Sequence, residues 1–171
     1  MSYELQALIG PAELVAVAAA EVSAARPRQL AQGLALIPAT PEFLAALRFG
    51  DEAPATPGAA GFGWFSDGLE RRLAAWSKAG PIACVEADYF GGTGTQRAAL
   101  WADGRLALGP LTSAELEPFP PEGSPISRVL RRLGVHLAAP DTDPAAAVAH
   151  DEFDAAGLGT HRTTTAWAST P

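Results

Sequence analysis

The chain has little cysteine, little positive charge and no long apolar run, and each shortage excludes a class of protein. Its one cysteine, Cys84, has no partner for an intramolecular disulfide and excludes a cysteine-based metal site. Because Cys84 lies in an apolar segment, we expect a small buried side chain rather than a reactive thiol. The histidines show no ligand spacing, so we expect no metal and no cofactor.

Net charge and hydropathy exclude further classes of protein. No apolar run approaches the ~20 residues that a membrane-spanning helix needs. Residues 1–5 lack the basic start of a signal peptide, so we expect a cytoplasmic protein that does not contact a membrane. The formal net charge of −7 argues against a nucleic-acid partner and suits a protein partner with a basic surface.

The length of 171 residues predicts one domain over 1–171. Apolar strands at 3–9 and 33–38, alternating with helical patterns, indicate an α+β fold. We expect a mainly antiparallel sheet with helices packed on one face. The Gly-, Pro- and Ala-rich segment 50–63 is expected to be a flexible loop, and 163–171 a tail that could be mobile.

Local chemistry marks where helices begin. Capping side chains or first-turn prolines indicate four starts, which are Gly10-Pro11, Thr40-Pro41, Ser66 or Asp67, and Ser124-Pro125. Between Gly109 and Pro125 the prolines predict a long loop.

Residues 81–109 carry two turn signals between apolar segments. Asp103-Gly104 is a strong hairpin signal, and a second turn is expected near Gly92-Thr93. Together they predict a three-stranded antiparallel meander. A phosphate-binding loop is not expected, because a strand rather than a helix follows the glycines.

Glu86 and Asp88 are unusual residues for a strand. Alternation places both on the same face as Cys84. A turn at Gly92-Thr93 would put Asp88 opposite Arg97 and Glu86 opposite Ala99. Two interpretations stay open. The carboxylates form a metal-binding or acid/base pair, or they belong to a solvated or salt-bridged face that could serve as an acidic patch for a protein.

A second polar cluster lies near the end of the chain. It contains Asp151, Glu152, Asp154, His161 and Arg162. A histidine beside carboxylates could be a general base or a metal ligand, or a structural residue. Alternatively, the acidic residues cap a short helix that ends at Gly157.

Two of the four tryptophans, Trp76 and Trp101, are expected in the core. Trp64 is flanked by glycines and is either an exposed anchor for a partner or a lead-in that closes over the sheet.

The segments 85–96 and 151–162 together resemble a family of small bacterial cytosolic proteins that is associated with immunity proteins of toxin systems. The resemblance implies inhibition of a toxin by binding, and it implies no catalytic residue.

The sequence thus predicts a non-catalytic acidic binding protein, an immunity-type inhibitor of a bacterial toxin with a basic surface. The expected partner-binding residues are Glu86, Asp88, Tyr89, Asp151, Asp154, His161 and Arg162. The alternative is a small hydrolase-like enzyme that uses Glu86, Asp88 and His161.

Overall fold

The computed structural model describes residues 2–48, 61–137 and 151–169. The strands are β1 (Ser2–Pro11), β2 (Arg28–Gln29), β3 (Leu34–Pro38), β4 (Ile82–Phe90), β5 (Thr93–Ala102) and β6 (Arg105–Ser113). The helices are α1 (Ala12–Glu21), α2 (Pro41–Ala46), α3 (Asp67–Trp76), α4 (Pro125–Arg132), α5 (Glu152–Ala156) and α6 (Thr164–Ser169). Residues 50–60 of the expected flexible loop and residues 170–171 of the expected tail lie outside the described residues.

The strands form one sheet in the order β2-β3-β1-β4-β5-β6, and every neighbouring pair is antiparallel. The α+β class and the antiparallel sheet are therefore confirmed. The first strand in the chain, β1, lies near the centre of the sheet, so the fold depends on pairing between distant segments.

The expectation that helices pack on one face of the sheet is wrong, because both faces are covered. Helices α1, α2 and α3 pack on one face and build the first core around Leu8, Ile37 and Cys84. Helices α4, α5 and α6 contribute to the second core on the other face, with Ala7 and Val85 of the sheet. We call these the first and second face.

The physical reason lies in the strands themselves. All five residues of β3 are buried, and β4 begins with four buried residues from Ile82 to Val85. A strand with one solvated face alternates between apolar and polar residues, whereas an unbroken apolar run requires cover on both sides.

The predicted helix starts are confirmed for α2, α3 and α4. Thr40 accepts a hydrogen bond from the N–H of Phe43, and Ser66 accepts one from Leu69. Ser124 accepts one from the N–H of Ser127 at 3.2 Å. Each cap satisfies a helical N–H that would otherwise have no partner.

The meander of β4, β5 and β6 is confirmed, but its first turn is displaced from the expected position. Both turns have two central residues with positive φ, at Gly91 (62°) and Gly92 (85°), and at Asp103 (55°) and Gly104 (83°). Such turns match the twist of the flanking strands. The predicted long loop after Gly109 is also wrong at its start, because β6 continues to Ser113.

Candidate partner-binding site at the hairpin end of the sheet

The displaced turn changes the expected cross-strand pairs. With Gly91-Gly92 as the central residues, Glu86 lies opposite Arg97, and Asp88 lies opposite Thr95. The predicted Asp88–Arg97 pairing is therefore wrong, because Arg97 lies opposite Glu86, two residues earlier on β4. The prediction that Glu86 and Asp88 share a face with Cys84 is confirmed by the alternation of β4.

The first face changes from apolar to polar at the same level on three neighbouring strands. The last apolar row is Leu8, Cys84 and Ala99. The next two rows are Gln6, Glu86 and Arg97, then Glu4, Asp88 and Thr95. We call these six residues the polar rows. They lie toward the β4–β5 turn, which we call the hairpin end of the sheet.

Aromatic side chains contact the polar row that contains Glu86 and Arg97, which we call the inner row because it lies next to the apolar row. The indole Nε1 of Trp64 donates a 2.8 Å hydrogen bond to Oε2 of Glu86. The guanidinium of Arg97 lies 5.8 Å from the centre of the Phe62 ring, within the range of a cation–π contact. Trp64 is half-buried and contacts Phe62 and Phe65, so the prediction that it closes over the sheet is confirmed.

Glu4 lies in the outer polar row, with Asp88 and Thr95, and is fixed by contacts with residues 162–164. Its carboxylate accepts hydrogen bonds from Oγ1 and N of Thr164, at 2.9 and 3.3 Å. Its backbone N–H donates to the carbonyl of Arg162, and Glu4 forms a parallel bridge with Thr163. Residues 162–164 thus complete the edge of β1 where β3 no longer pairs with it.

A polar cleft of about 320 Å³ lies beside the polar rows, which we call the first-face cleft. Its lining includes Glu86, Arg97, Thr112 and Glu117. Phe90 ends β4 at this corner with 76% of its surface exposed. The first face of the hairpin end therefore combines charged side chains with one exposed aromatic ring.

The opposite face of the same strands holds a different cleft of about 290 Å³, the second-face cleft. Its lining is mainly aromatic and apolar, and consists of Tyr3, Ala87, Tyr89, Gln96, Phe119, Ser124, Asp151 and Phe153. Residues of the first sequence motif, 85–96, here meet residues of the second, 151–162. The two motifs singled out from the sequence therefore converge on one cleft.

The polar groups of the second-face cleft also support the fold. The hydroxyl of Tyr3 donates to the carbonyl of Leu158 at 2.9 Å. Burial raises the pKa of Tyr3 above its usual value, and Glu4 adds to the shift, while Arg162 opposes it. Asp151 caps α5 by accepting from the N–H of Asp154, which confirms the capping interpretation.

Helix α5 is anchored to α4 by an ion pair that the sequence did not reveal. Glu152 is buried, and its Oε1 accepts from Nε and Nη2 of Arg131 at 3.0 and 2.9 Å. Gly157 ends the helix in a left-handed conformation with φ of 86°. These contacts fix Asp151 and Phe153 at the cleft.

The seven expected partner-binding residues are distributed over both faces. Glu86 and Asp88 lie on the first face, whereas Tyr89 and Asp151 line the second-face cleft. Whether they bind a partner stays a prediction.

The remaining three residues lie around α5 and the segment that follows it. Asp154 is exposed on α5. Arg162 donates to the carbonyl of Ser2 at 2.9 Å. His161 packs edge-on against Trp167 of the second core, with ring centres 4.6 Å apart.

Sequence reasoning missed Tyr3, Phe119 and Ser124 as lining residues of the second-face cleft. Gln96 and Phe153 lay inside the two motifs, which was a usable signal. No local pattern marks Tyr3 or Phe119, because their role follows from packing between segments distant in sequence.

Among residues 2–48, 61–137 and 151–169, no three His, Cys, Asp or Glu side chains are grouped so that they could hold a metal ion. In the same part of the chain, no helix is long and apolar enough to cross a membrane. Cys84 is buried, and burial raises the pKa of its thiol well above the usual value.

No family model, no curated protein and no solved structure matches the chain.

Proposed function

We propose that this protein is a non-catalytic binding protein of the bacterial cytoplasm, an immunity-type inhibitor that masks the basic surface of a toxin. The hairpin end of the sheet is the proposed contact surface. The observation that carries the proposal is the convergence of both sequence motifs there, around an exposed aromatic ring and two clefts.

Charge supports a basic partner. The chain has a net charge of −7, and the polar rows present Glu4, Glu86 and Asp88 within two adjacent rows. Carboxylates gathered at one end of an acidic protein steer a basic partner toward that end and raise the association rate. Phe90 supplies the kind of aromatic anchor that interface cores favour.

The alternative function, a hydrolase-like enzyme using Glu86, Asp88 and His161, has less support. Glu86 accepts from Trp64 on the first face, whereas His161 packs on Trp167 in the second core. A general base must lie within hydrogen-bond reach of the proton that it takes, directly or through one water molecule. The three side chains are therefore poorly placed to act on one substrate.

The direct test is co-expression with the products of neighbouring genes. We expect one of them to arrest bacterial growth when produced alone, and this protein to relieve the arrest and co-purify with it. Failure to relieve toxicity of any neighbouring product, together with no stable complex, would contradict the proposal.

With the partner identified, the surface is tested by charge reversal. Asp88→Lys should slow association more than it speeds dissociation, and the difference should shrink with salt, because exposed charges are screened over ~8 Å at physiological ionic strength. Glu13→Lys is the matched control, since Glu13 is exposed beside the opposite end of β1. Equal effects of both variants on the association rate would remove the hairpin end as the contact surface.

A further inference from the structure

The second-face cleft combines aromatic walls with a carboxylate. Tyr3 and Phe153 meet edge to face with ring centres 5.4 Å apart, and Tyr89 and Phe119 complete the aromatic lining. Asp151 is half-buried beside them. Aromatic faces attract cations through the ring quadrupole, and an adjacent carboxylate adds a full negative charge.

The charge of Asp151 has no counter-ion among the residues that the structure describes. One carboxylate oxygen, Oδ1, accepts from the N–H of Asp154 at 3.0 Å. The described ion pairs are Arg72–Glu21 and Arg131–Glu152, and neither involves Asp151. Capping therefore uses one oxygen and leaves a negative charge beside the aromatic rings.

Gln96 adds a polar side chain to the second-face cleft. Its side chain lines the cleft and the residue is only 9% exposed. Oε1 accepts from the N–H of Ile126 at 3.0 Å, which fixes the orientation of the amide. With Oε1 held in this way, the Nε2 donor of the same amide can serve an acceptor oxygen of a ligand in the cleft.

We propose that the second-face cleft receives one arginine side chain of the basic protein partner, an inference that rests on the proposed function. A planar guanidinium stacks on aromatic faces and donates to a carboxylate through two parallel N–H bonds. Asp151 and the aromatic walls supply both contacts, and a main-chain carbonyl next to the arginine accepts from Gln96. The volume of about 290 Å³ suits a side chain better than a drug-sized ligand.

The test is a titration of the ¹⁵N-labelled protein followed by NMR. The probe is acetyl-Gly-Arg-Gly-amide, and the matched probe is acetyl-Gly-citrulline-Gly-amide, which has the same shape without the charge. We expect the arginine peptide to shift the amide signals of the lining residues saturably. It should bind about fivefold more tightly than the citrulline peptide, the difference expected for one partly exposed charge contact.

One variant separates the negative charge of Asp151 from the role of its side chain as the cap of α5. Asp151→Asn keeps a good capping side chain, because asparagine also accepts from the helical N–H, but it removes the charge. We expect this variant to melt like the parent and to bind both peptides equally. Asp67→Asn makes the same charge change in the first turn of α3, on the first face and outside the lining residues, and should keep the preference for arginine.

Three outcomes would overturn the inference. They are equal binding of the two peptides, no saturable shift at the cleft, and a preference that persists in Asp151→Asn. If the peptide test fails while the protein still neutralises a toxin, the proposed function stands without the arginine site. If the peptide test succeeds and no neighbouring toxin is neutralised, the cleft stands and the proposed function fails.

Discussion

The two faces of the hairpin end are built from alternate residues of the same three strands, yet they hold clefts of different chemistry. The first-face cleft, of about 320 Å³, is lined by charged and hydroxyl side chains, and the second-face cleft, of about 290 Å³, mainly by aromatic rings. The first core ends at the row of Leu8, whereas α4 and α5 extend the second face's cover toward the turn. Cover by helices, rather than the strands alone, decides which side chains each face exposes at the hairpin end.

The largest effect is expected where a single change damages both faces. A Cβ added at Gly94 would collide with the carbonyl oxygen of Asp88 and would lie 2.6 Å from Cα of Tyr89. The hairpin backbone must move, so we expect Gly94→Ala to lower the free energy of unfolding in urea by about 3 kcal/mol or more. In Gly159→Ala the added Cβ meets no atom within 4 Å, and a similar loss there would contradict this explanation.

Removing Arg131 should disturb the second face alone. Its partner Glu152 is buried and would keep a charge without its ion pair. Because Arg131 itself is half exposed, we expect Arg131→Ala to cost about 2 kcal/mol by urea unfolding. Amide signals of α5 should change, and those of the polar rows should not. Arg132→Ala, an exposed arginine on the same helix, should be near neutral, and equal losses would refute the role of the pair.

The matching change on the first face concerns Trp64 and Glu86. Trp64→Phe removes the indole N–H that donates to the carboxylate of Glu86. We expect the free energy of unfolding, measured by circular dichroism in urea, to fall by about 1.5 kcal/mol. Glu86→Gln keeps an acceptor for the indole and should cost under ~0.5 kcal/mol. If Glu86→Gln were as costly as Trp64→Phe, the charge rather than the hydrogen bond would be the stabilising element.

The smallest effect is expected at the phenol of Tyr3. Tyr3→Phe loses the hydrogen bond to Leu158 and should cost about 1 kcal/mol at pH 8. Because the folded chain holds the pKa of Tyr3 above that of the unfolded chain, the unfolded chain loses its proton first as the pH rises. The advantage of the parent over Tyr3→Phe should therefore shrink above pH ~10. Tyr89→Phe is the control, and an advantage that grows with pH would contradict the sign.

Local chemistry predicted the elements of this fold but not their register. The caps Thr40 and Ser124 act within three residues along the chain, so the sequence reveals them. Three adjacent pairs between 91 and 94 contain glycine and could form the turn, and moving its centre by one residue moves every cross-strand partner by two. The choice depends on which pair leaves the buried rows aligned across the whole sheet.

The candidate site was predictable only in part for the same reason. The two sequence motifs contain Tyr89, Gln96 and Asp151, which line the second-face cleft. The hydrogen bond of Trp64 to Glu86 spans 22 residues and the pair of Arg131 with Glu152 spans 21, and no local pattern predicts either contact. The only sign in the sequence that helices cover both faces of the sheet is the unbroken apolar run in β3 and at the start of β4.

The closure of the β1 edge by residues 162–164 also bears on the order of events during synthesis. Thr164 contacts Glu4 across 160 positions, so the ribosome makes a central strand among the first residues and its edge much later. A nascent chain that ends before residue 162 leaves backbone groups of β1 open as a template for wrong pairing. We therefore expect the sheet to become complete only after translation has passed residue 164, and to do so slowly, as folds rich in distant contacts do.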